Sequence, residues 1–285
     1  MRYVTFKNPQ GASEPGVISN DLIIGLGAAG FGSILDVLGG GEKAEAAVAA
    51  WLLAPPHNAI HSREAVNLMA PVPRPPKLIC VGLNYRDHAE ESNMAIPERP
   101  TIFSKFSHCV IGPGDPIVLP KNSAQPDYEA EFAFVIGKGG RHIPADKWRE
   151  HIFGYTNLHD VSARDFQLAT TQWLMGKTFD TFAPMGPWLV TAGEIADPHN
   201  LNIRLTINGE TLQDSNTRHL IFGIPELIAY LSSVFTLEPG DVVSTGTPAG
   251  VGFARKPPRW LRPGDEVVVE VEGLGQLRNP VIAES

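Results

Sequence analysis

The sequence predicts an α+β protein, mainly β, in which a small N-terminal α+β domain precedes a larger domain. Three observations support this fold class. Short strand-like runs separated by Gly, Pro and Asp turns dominate the chain, and helical patterns are few. The proline-dense segment 71–77 cannot hold a helix or a central strand, so it is the best linker candidate. The predicted domains are therefore residues 1–70 and residues 78–285.

The N-terminal domain contains three short strand patterns and one helical pattern. The strand patterns are RYVTFK, PGVISN and DLIIGL. The helical pattern EKAEAAVAAWLLA, at 42–54, is rich in good helix formers. These elements predict a small α+β unit.

The region after the linker contains eight strand patterns, each bounded by turn residues. They are KLICVGL, TIFSKF, PIVLP, YEAEFAFVIG, PWLVTA, NIRLTING, DVVST and EVVVEVEG. Two helical patterns interrupt them, PADKWREHIFG and GIPELIAYLSSVF. The similar segments LEPGDVV and LRPGDEVV predict two Pro-Gly-Asp turns that each lead into a strand. We expect a body of mixed or closed β-sheets that carries a few helices.

Charge and apolar patterning exclude several classes of protein. The net charge of -8 argues against a sequence-independent nucleic-acid binder, because phosphate recognition needs a basic surface. No apolar run approaches the ~20 residues of a membrane span, and the N-terminus lacks a signal-peptide core, so we expect a cytoplasmic protein with no membrane partner. Cys80 and Cys109 lie in apolar runs and are expected to be core thiols rather than a disulfide.

The strand pattern YEAEFAFVIG places two acidic residues on one face. Side chains alternate along a strand, so Glu129 and Glu131 point the same way. Buried carboxylates need compensation, and three kinds are possible: Lys or Arg side chains, a shared proton, or a hard metal ion. The alternative is an edge strand whose acidic face meets water.

Two further segments carry candidate chemical groups. GLNYRDHAEES places His88 and Glu91 three residues apart, so on a helical turn the carboxylate can orient the imidazole as a general base requires. A surface charge pair is the alternative. The strand pattern IFGYTNLHD ends at Asp160, and Arg164 and Gln167 follow it closely.

A lone lysine and a glycine-rich loop complete the candidate site. Lys177 lies among apolar and aromatic residues in WLMGKTFDTFAPMGP, where burial would lower its pKa unless anions keep it charged. STGTPAGVG, around Thr247, follows a strand and exposes backbone N–H groups and hydroxyls to anionic ligands.

Taken together, these segments resemble the fumarylacetoacetate hydrolase family, in the family's order, from KLICVGLNYRDH to the C-terminus. The motifs are GLNYRDHAEE, DYEAEFAFVIGK, HDVSARDFQ, GKTFDTFAPMGP, INGE and GDVVSTGTPAGVG. The ending RKPPRWLRPGDEVVVEVEGLG resembles the subgroup with a short N-terminal domain. The resemblance implies a catalytic domain built on a twisted β-roll and a homodimer. The apolar helix pattern GIPELIAYLSSVF also favours a partner, unless this helix only covers the sheet.

The resemblance further implies a divalent cation, Mg²⁺ or Mn²⁺, held by Glu129, Glu131 and Asp160. Some family members use one more acidic ligand just upstream of the NYRDH position. This chain reads ICVGL there, without an acid, so we expect waters to complete the coordination.

The implied substrate is a small-molecule 2-oxo acid. Lys177, Arg164, Gln167 and Thr247 are expected to hold its anionic groups, and Lys177 also to stabilise an enolate.

His88, oriented by Glu91, is the expected base. The expected reaction is metal-dependent hydrolysis of a carbon-carbon bond in an acylpyruvate-like 2,4-dioxo acid through an enolate. Two alternatives remain open: an isomerase, tautomerase or decarboxylase of 2-oxo acids such as oxaloacetate or a 2-hydroxy-diene-dioate, and a non-catalytic metal-binding protein.

Overall fold

The computed structural model describes residues 1–285, and its N-terminal part contains five strands and one α-helix. These are β1 (Arg2–Lys7), β2 (Ser13–Ser19), β3 (Leu22–Gly25), α1 (Ile34–Leu53), β4 (Ile60–Ser62) and β5 (Asn67–Met69). Helix α1 begins at a capping box in which the Ser33 and Asp36 side chains each bond the other's backbone N–H. A break at Gly41 divides it, so the predicted helix 42–54 is its second part.

The remainder of the chain contains the predicted strands and several shorter elements. They are β6 (Leu78–Gly82), α2 (Arg86–Glu91), β7 (Thr101–Lys105), β8 (Val110–Ile111), β9 (Ile117–Leu119), β10 (Pro126–Asp127), β11 (Ala130–Ile136), β12 (Ile152–His159), β13 (Ser162–Ala163), α3 (Arg164–Gln167), α4 (Leu174–Lys177), β14 (Ala183–Thr191), β15 (Asn202–Ile207), β16 (Glu210–Asn216), α5 (Ile224–Val234), β17 (Val242–Ser244), β18 (Glu266–Val271) and β19 (Gly275–Ala283). The predicted helix PADKWREHIFG is a 3₁₀ helix, Ala145–His151. Segment 71–77 contains no helix or strand.

Two mixed sheets form the body of the molecule. The larger has the strand order β4-β3-β2-β1-β14-β12-β11-β17-β6-β7, and the smaller has the order β16-β15-β18-β19-β9. Most neighbours are antiparallel, whereas β17 runs parallel to β6. Strand β1 pairs with β14, so hydrogen bonding continues from the N-terminal strands into the large sheet. The mainly β fold class is confirmed, and the division between residues 1–70 and 78–285 stays a prediction.

Strand β11 lies inside the large sheet, between β12 and β17. Alternate side chains of β11 pack in two different hydrophobic cores. Phe132 and Phe134 lie in the larger core, and Ala133 and Val135 lie in the smaller core. The edge-strand explanation for the acidic pair is therefore wrong, since Glu131 is only 1% exposed.

The two Pro-Gly-Asp turns have the same local structure. Gly240 and Gly264 adopt φ angles of 89° and 92°, in the left-handed region that favours glycine. In both turns the aspartate Oδ2 accepts a backbone N–H at 2.8 Å from the residue three positions earlier. One turn leads into β17 and the other precedes β18, as predicted.

Helix α5 packs its apolar face on the protein's own core. Ile224, Leu227, Ile228 and Leu231 are all buried there. The helix therefore covers the sheet and offers no argument for a dimer. None of the helices is long and apolar enough to cross a membrane.

Both cysteines are buried free thiols, as expected. Burial raises the pKa of Cys80 well above its ordinary value and also raises the pKa of Cys109. Both thiols therefore stay protonated at neutral pH.

Candidate active site and metal centre

Three buried carboxylates meet where β11 begins and β12 ends. Ala130 pairs with His159, and the backbone N–H of Asp160 donates to the carbonyl of Glu129 at 3.0 Å. This register brings ligand atoms of Glu129, Glu131 and Asp160 within 4.8 Å of one another. The structure therefore assembles the three residues that the sequence suggested for a metal site.

Three cations surround two of these carboxylates. The Lys177 Nζ atom lies 2.7 Å from Glu129 Oε2 and 2.7 Å from Asp160 Oδ2. Arg164 Nη2 lies 2.7 Å from Glu129 Oε1, and Lys105 Nζ lies 2.5 Å from Asp160 Oδ1. Compensation by basic side chains, one of the possibilities left open by the sequence, thus applies to Glu129 and Asp160.

Glu131 lacks a cationic partner. Its Oε2 accepts hydrogen bonds from the Ser244 hydroxyl and, at 3.0 Å, from the Gly246 N–H, while its Oε1 accepts none from the protein. Burial raises the pKa of Glu131 well above its ordinary value, and the charges of Asp160 and Glu129 raise it further. Without an added cation, this environment therefore favours the protonated, neutral form of Glu131.

Glu129 has the opposite electrostatic balance. Burial alone would raise its pKa, but the charges of Lys177 and Arg164 outweigh burial and lower the pKa below its usual range. The basic neighbours therefore favour the ionised form of Glu129. Burial and like charge favour the neutral form of Glu131 on the same strand face.

Two members of this cluster were not predicted from the sequence. Asp127 accepts a hydrogen bond from Arg164 Nε at 2.8 Å, and Lys105 bonds Asp160 as described. Asp127 has the same parity as Glu129 and Glu131, so extending the alternation by one step would have found it. Lys105 ends a strand in TIFSKF, where a single lysine gives no signal of burial.

The donor set of the cluster fits a hard divalent cation. Four carboxylic side chains and three basic side chains meet here, and all seven are buried; they are Asp127, Glu129, Glu131, Asp160, Lys105, Arg164 and Lys177. Mg²⁺ and Mn²⁺ prefer carboxylate oxygens, and the unbonded Oε1 of Glu131 offers such an atom. Strand β6 contributes no acidic side chain, so retained waters stay the expectation for the remaining coordination positions.

A cavity of about 420 Å³ opens beside the cluster. Every predicted site residue except Asp160 lines it, and Phe103, Trp173 and Val251 supply apolar wall. The predicted groups therefore share one space large enough for a small organic acid.

The His88 and Glu91 side chains form the predicted pair. One turn of α2 brings His88 Nδ1 to 3.3 Å from Glu91 Oε2. Glu91 also accepts the Gly250 N–H, at 3.0 Å and 3.1 Å to its two oxygens. The Asp87 carboxylate accepts a hydrogen bond from Ser215 and ties α2 to β16. The carboxylate is thus fixed on one side of the imidazole, and His88 Nε2 has no partner in the protein.

Three hydrogen-bond donors at the cavity remain available to a ligand. Lys177 uses two of its three N–H groups on carboxylates. Gln167 accepts from Arg164 at 2.8 Å through Oε1, so its amide N–H groups are unused. Thr247 accepts from Gln213 at 2.8 Å, so its hydroxyl hydrogen is also unused. Arg164, by contrast, already bonds Asp127, Glu129 and Gln167 and mainly orders the cluster.

Glu131→Gln is expected to remove most of the thermal stabilisation by Mg²⁺ or Mn²⁺. A cation at 100 times its dissociation constant stabilises the folded state by about 2.7 kcal/mol, or roughly 5 to 10 °C. The variant loses the ligand that has no cationic neighbour, and its metal-free form should resemble the wild type, because glutamine has the size and neutrality of protonated Glu131. Melting curves with EDTA, Mg²⁺ and Mn²⁺ test this, with Glu210→Gln on the exposed end of β16 as control. If neither EDTA nor added cation changed the melting temperature of the wild type, the prediction would be contradicted.

Comparisons with known proteins agree with this fold. The family model described as "Fumarylacetoacetate (FAA) hydrolase C-terminal" matches residues 77–282. The Rattus norvegicus protein named oxaloacetate tautomerase Fahd2a, mitochondrial, is 54% identical over 221 residues, which cover 77% of this chain and 71% of the relative.

Two solved structures also resemble the whole chain. The 5-carboxymethyl-2-hydroxymuconate delta-isomerase of Mycobacterium smegmatis has a TM-score of 0.80 at 35% identity and covers 100% of both chains. The maleylpyruvate hydrolase of Sphingobium sp. SYK-6, in complex with manganese(II) ion and pyruvate, has a TM-score of 0.83 at 30% identity and covers 100% of both chains. The match to the family model, the sequence relative and these structures together show that this chain is an enzyme of the fumarylacetoacetate hydrolase family.

Proposed function

We propose that this protein is a divalent-metal-dependent tautomerase of oxaloacetate-like 2-oxo acids. The observation that carries the proposal is the His88 and Glu91 pair, which lines the same cavity as the buried carboxylate cluster. The similarity to a protein named oxaloacetate tautomerase supports the choice of reaction. The comparisons favour this alternative over the carbon-carbon hydrolase expected from the sequence.

His88 is the proposed proton carrier. Keto-enol tautomerisation moves a proton between carbon 3 and the oxygen on carbon 2 of a 2-oxo acid. Since Nε2 of His88 has no protein partner, it can remove and return the carbon-bound proton. Glu91 bonds Nδ1 and holds the ring in one orientation, which leaves Nε2 as the basic atom.

Lys177, Gln167 and Thr247 are proposed to bind the substrate. Burial would lower the pKa of Lys177, but the charges of Asp160 and Glu129 outweigh burial and raise it, so the ammonium persists. Its third N–H can stabilise negative charge on the oxygen at carbon 2. Gln167 and Thr247 can donate to the substrate carboxylate.

The three clustered carboxylates Glu129, Glu131 and Asp160 are proposed to hold the Mg²⁺ or Mn²⁺ ion. When bound there, the ion would supply Lewis-acid polarisation of the substrate's keto oxygen. The similarity to a maleylpyruvate hydrolase in complex with manganese(II) ion supports this choice of cation class.

A carbon-carbon hydrolase is the second candidate function. It is favoured by the similarity to the same maleylpyruvate hydrolase, whose structure also contains pyruvate. In that reaction His88 would deprotonate a water for attack on a second carbonyl of an acylpyruvate. Decarboxylation of oxaloacetate would use the same substrate-binding groups but no attacking water. A non-catalytic role is the least supported, because the His88 and Glu91 pair is intact.

Separate detection of products tests the proposed function. Protein loaded with Mg²⁺ or Mn²⁺ is incubated with oxaloacetate, acetylpyruvate and fumarylpyruvate, and enol absorbance, pyruvate and carbon dioxide are each followed. We expect faster relaxation of the oxaloacetate enol signal, with no more pyruvate or carbon dioxide than the same metal ion releases from oxaloacetate without protein. Pyruvate from either acylpyruvate would overturn the tautomerase in favour of the hydrolase, and carbon dioxide from oxaloacetate above this background would favour the decarboxylase.

We also propose that the protein is a homodimer. The support is the family resemblance alone, because α5 is buried against its own core. Light scattering at micromolar concentration should give about twice the 30.8 kDa mass of one chain. A single-chain mass under these conditions would contradict the proposal.

The cytoplasmic location expected from the sequence stays a prediction. The similar rat protein is named as mitochondrial.

A further inference from the structure

Lys256 differs from every other charged residue that lines the cavity. The other titratable side chains there all have hydrogen-bond or ion-pair partners within the protein: His88 with Glu91, Glu129 with its basic neighbours, and Glu131 with backbone and hydroxyl donors. Lys256 has neither a hydrogen bond nor an ion pair, and its side chain is exposed. The cavity wall therefore contains one uncommitted positive charge, on an exposed side chain.

The backbone that carries Lys256 is tied to the carboxylate cluster. The carboxylate of Asp127 accepts the N–H of Gly252 at 2.7 Å and the N–H of Phe253 at 3.0 Å, while its Oδ2 also accepts from Arg164. The backbone is therefore anchored to the cluster three residues before Lys256, while the exposed lysine side chain stays free to turn toward a ligand.

The neighbouring Arg255 fixes the same segment in a different way. Its Nε atom lies 3.0 Å from the Tyr128 hydroxyl, and its Nη2 atom lies 2.6 Å from the Leu212 carbonyl. Two adjacent basic residues thus have separate roles: Arg255 holds the structure, and Lys256 remains free for a ligand.

We propose that Lys256 binds the distal carboxylate of a 2-oxo dicarboxylate. This inference rests on the proposed function, because it assumes that the 2-oxo acid end lies at Lys177 and the carboxylate cluster. A second carboxylate at the far end of such a substrate then meets the only free cation of the cavity wall. Lys256 is exposed, so pairing it with a carboxylate costs little desolvation. A monocarboxylic 2-oxo acid leaves this ammonium in water.

Glu91, an acidic residue of the same cavity wall, does not cancel this charge. Glu91 is bonded to His88 and to the Gly250 N–H, and no oxygen of Glu91 bonds Lys256. The cavity consequently offers an unpaired positive site to the distal end of the substrate. Complementary charge at that end selects dicarboxylates over the monocarboxylates that lack only the distal carboxylate.

Matched ligand pairs test the role of Lys256. Oxaloacetate is compared with pyruvate, and 2-oxoadipate with 2-oxovalerate, so that each pair differs by the distal carboxylate. Dissociation constants for the Mg²⁺-loaded protein are measured by titration calorimetry with wild type, Lys256→Met and Lys256→Arg. The control is Lys43→Met, an exposed lysine of α1 without an ion pair. Melting temperatures check that all variants fold.

The expected result is a selective loss. Lys256→Met should weaken binding of at least one dicarboxylate by roughly two- to fivefold, the effect typical of an exposed ion pair, and leave both monocarboxylates unchanged. Lys256→Arg should keep the preference for the dicarboxylate. An unchanged ratio of dicarboxylate to monocarboxylate affinity in both pairs would overturn the proposal, as would an equal loss for both members of each pair.

The experiment separates this inference from the proposed function. Binding ratios require no turnover, so they report on Lys256 whether or not the oxaloacetate enol signal relaxes faster with enzyme. If wild-type protein does not speed the relaxation of the enol absorbance, the tautomerase proposal fails, but the binding ratios still test the role of Lys256. Raising the salt concentration should reduce the wild-type dicarboxylate preference, because the pairing is partly exposed.

Discussion

Replacing His88 with alanine is expected to slow the proposed tautomerisation by about 100- to 10,000-fold, the range typical for loss of a general base. His88 lines the cavity with Nε2 unbonded, and the cavity wall contains no second histidine. The carboxylates nearest to the proposed substrate are already engaged by cations or hydrogen bonds. The rate constant is measured from the enol absorbance of oxaloacetate. Cation binding and melting temperature should change little, because α2 remains bonded through Asp87 and Glu91.

Two further substitutions distinguish a base from a structural residue. Glu91→Gln should cause a smaller loss of rate than His88→Ala, because glutamine retains an oxygen for the Gly250 N–H but no longer holds a charge beside the imidazole. Glu90→Gln, on the exposed side of α2, should leave the rate unchanged. If His88→Ala kept the wild-type rate of tautomerisation, the assignment of the base would be wrong. Retained release of carbon dioxide from oxaloacetate in this variant would instead indicate decarboxylation, which needs no base.

The local geometry of the site was predictable where it depends on short-range periodicity. Strand alternation placed Glu129 and Glu131 on one face, and the helical spacing of His88 and Glu91 predicted their contact. The same alternation includes Asp127, although its position before the strand pattern concealed it. These relations follow from backbone geometry over a few residues.

The partners across the sheet were not predictable from one sequence. Lys105 reaches Asp160 only because β7 pairs with β6 and β6 lies beside β17, an arrangement set by long-range packing. Strands β1 and β14, which are far apart in the chain, also pair with each other. In each case the local pattern predicts a strand but does not specify its neighbour.

The apolar pattern of α5 illustrates a related ambiguity. A helix with one apolar face can bind a partner chain or cover its own sheet, and the sequence is the same in both cases. In the structure the helix covers its own sheet, since Leu227 and Leu231 lie in the protein's core. An inference about assembly therefore needs the packing of the helix as well as its pattern.

Replacing Lys177 with methionine is expected to destabilise the metal-free protein by about 3 to 5 kcal/mol, because removal of one partner leaves buried charges uncompensated. Lys177 is 2% exposed and bridges Glu129 and Asp160 at 2.7 Å each. Methionine fills similar space without the charge, so the loss reports electrostatics rather than a cavity. Urea unfolding in EDTA gives the free energy, and the melting temperature should fall by roughly 10 °C.

Addition of Mg²⁺ or Mn²⁺ should restore part of the stability lost in Lys177→Met, and more than it adds to wild type, because a divalent cation brings positive charge to the same two carboxylates. Lys147→Met, which breaks only an exposed pair with Glu150, is the control and should change stability by less than about 1 kcal/mol. If Lys177→Met were as stable as wild type in EDTA, the buried carboxylates would not depend on Lys177 for their charge balance. If the cation stabilised the variant no more than the wild type, the ion would not bind between Glu129 and Asp160.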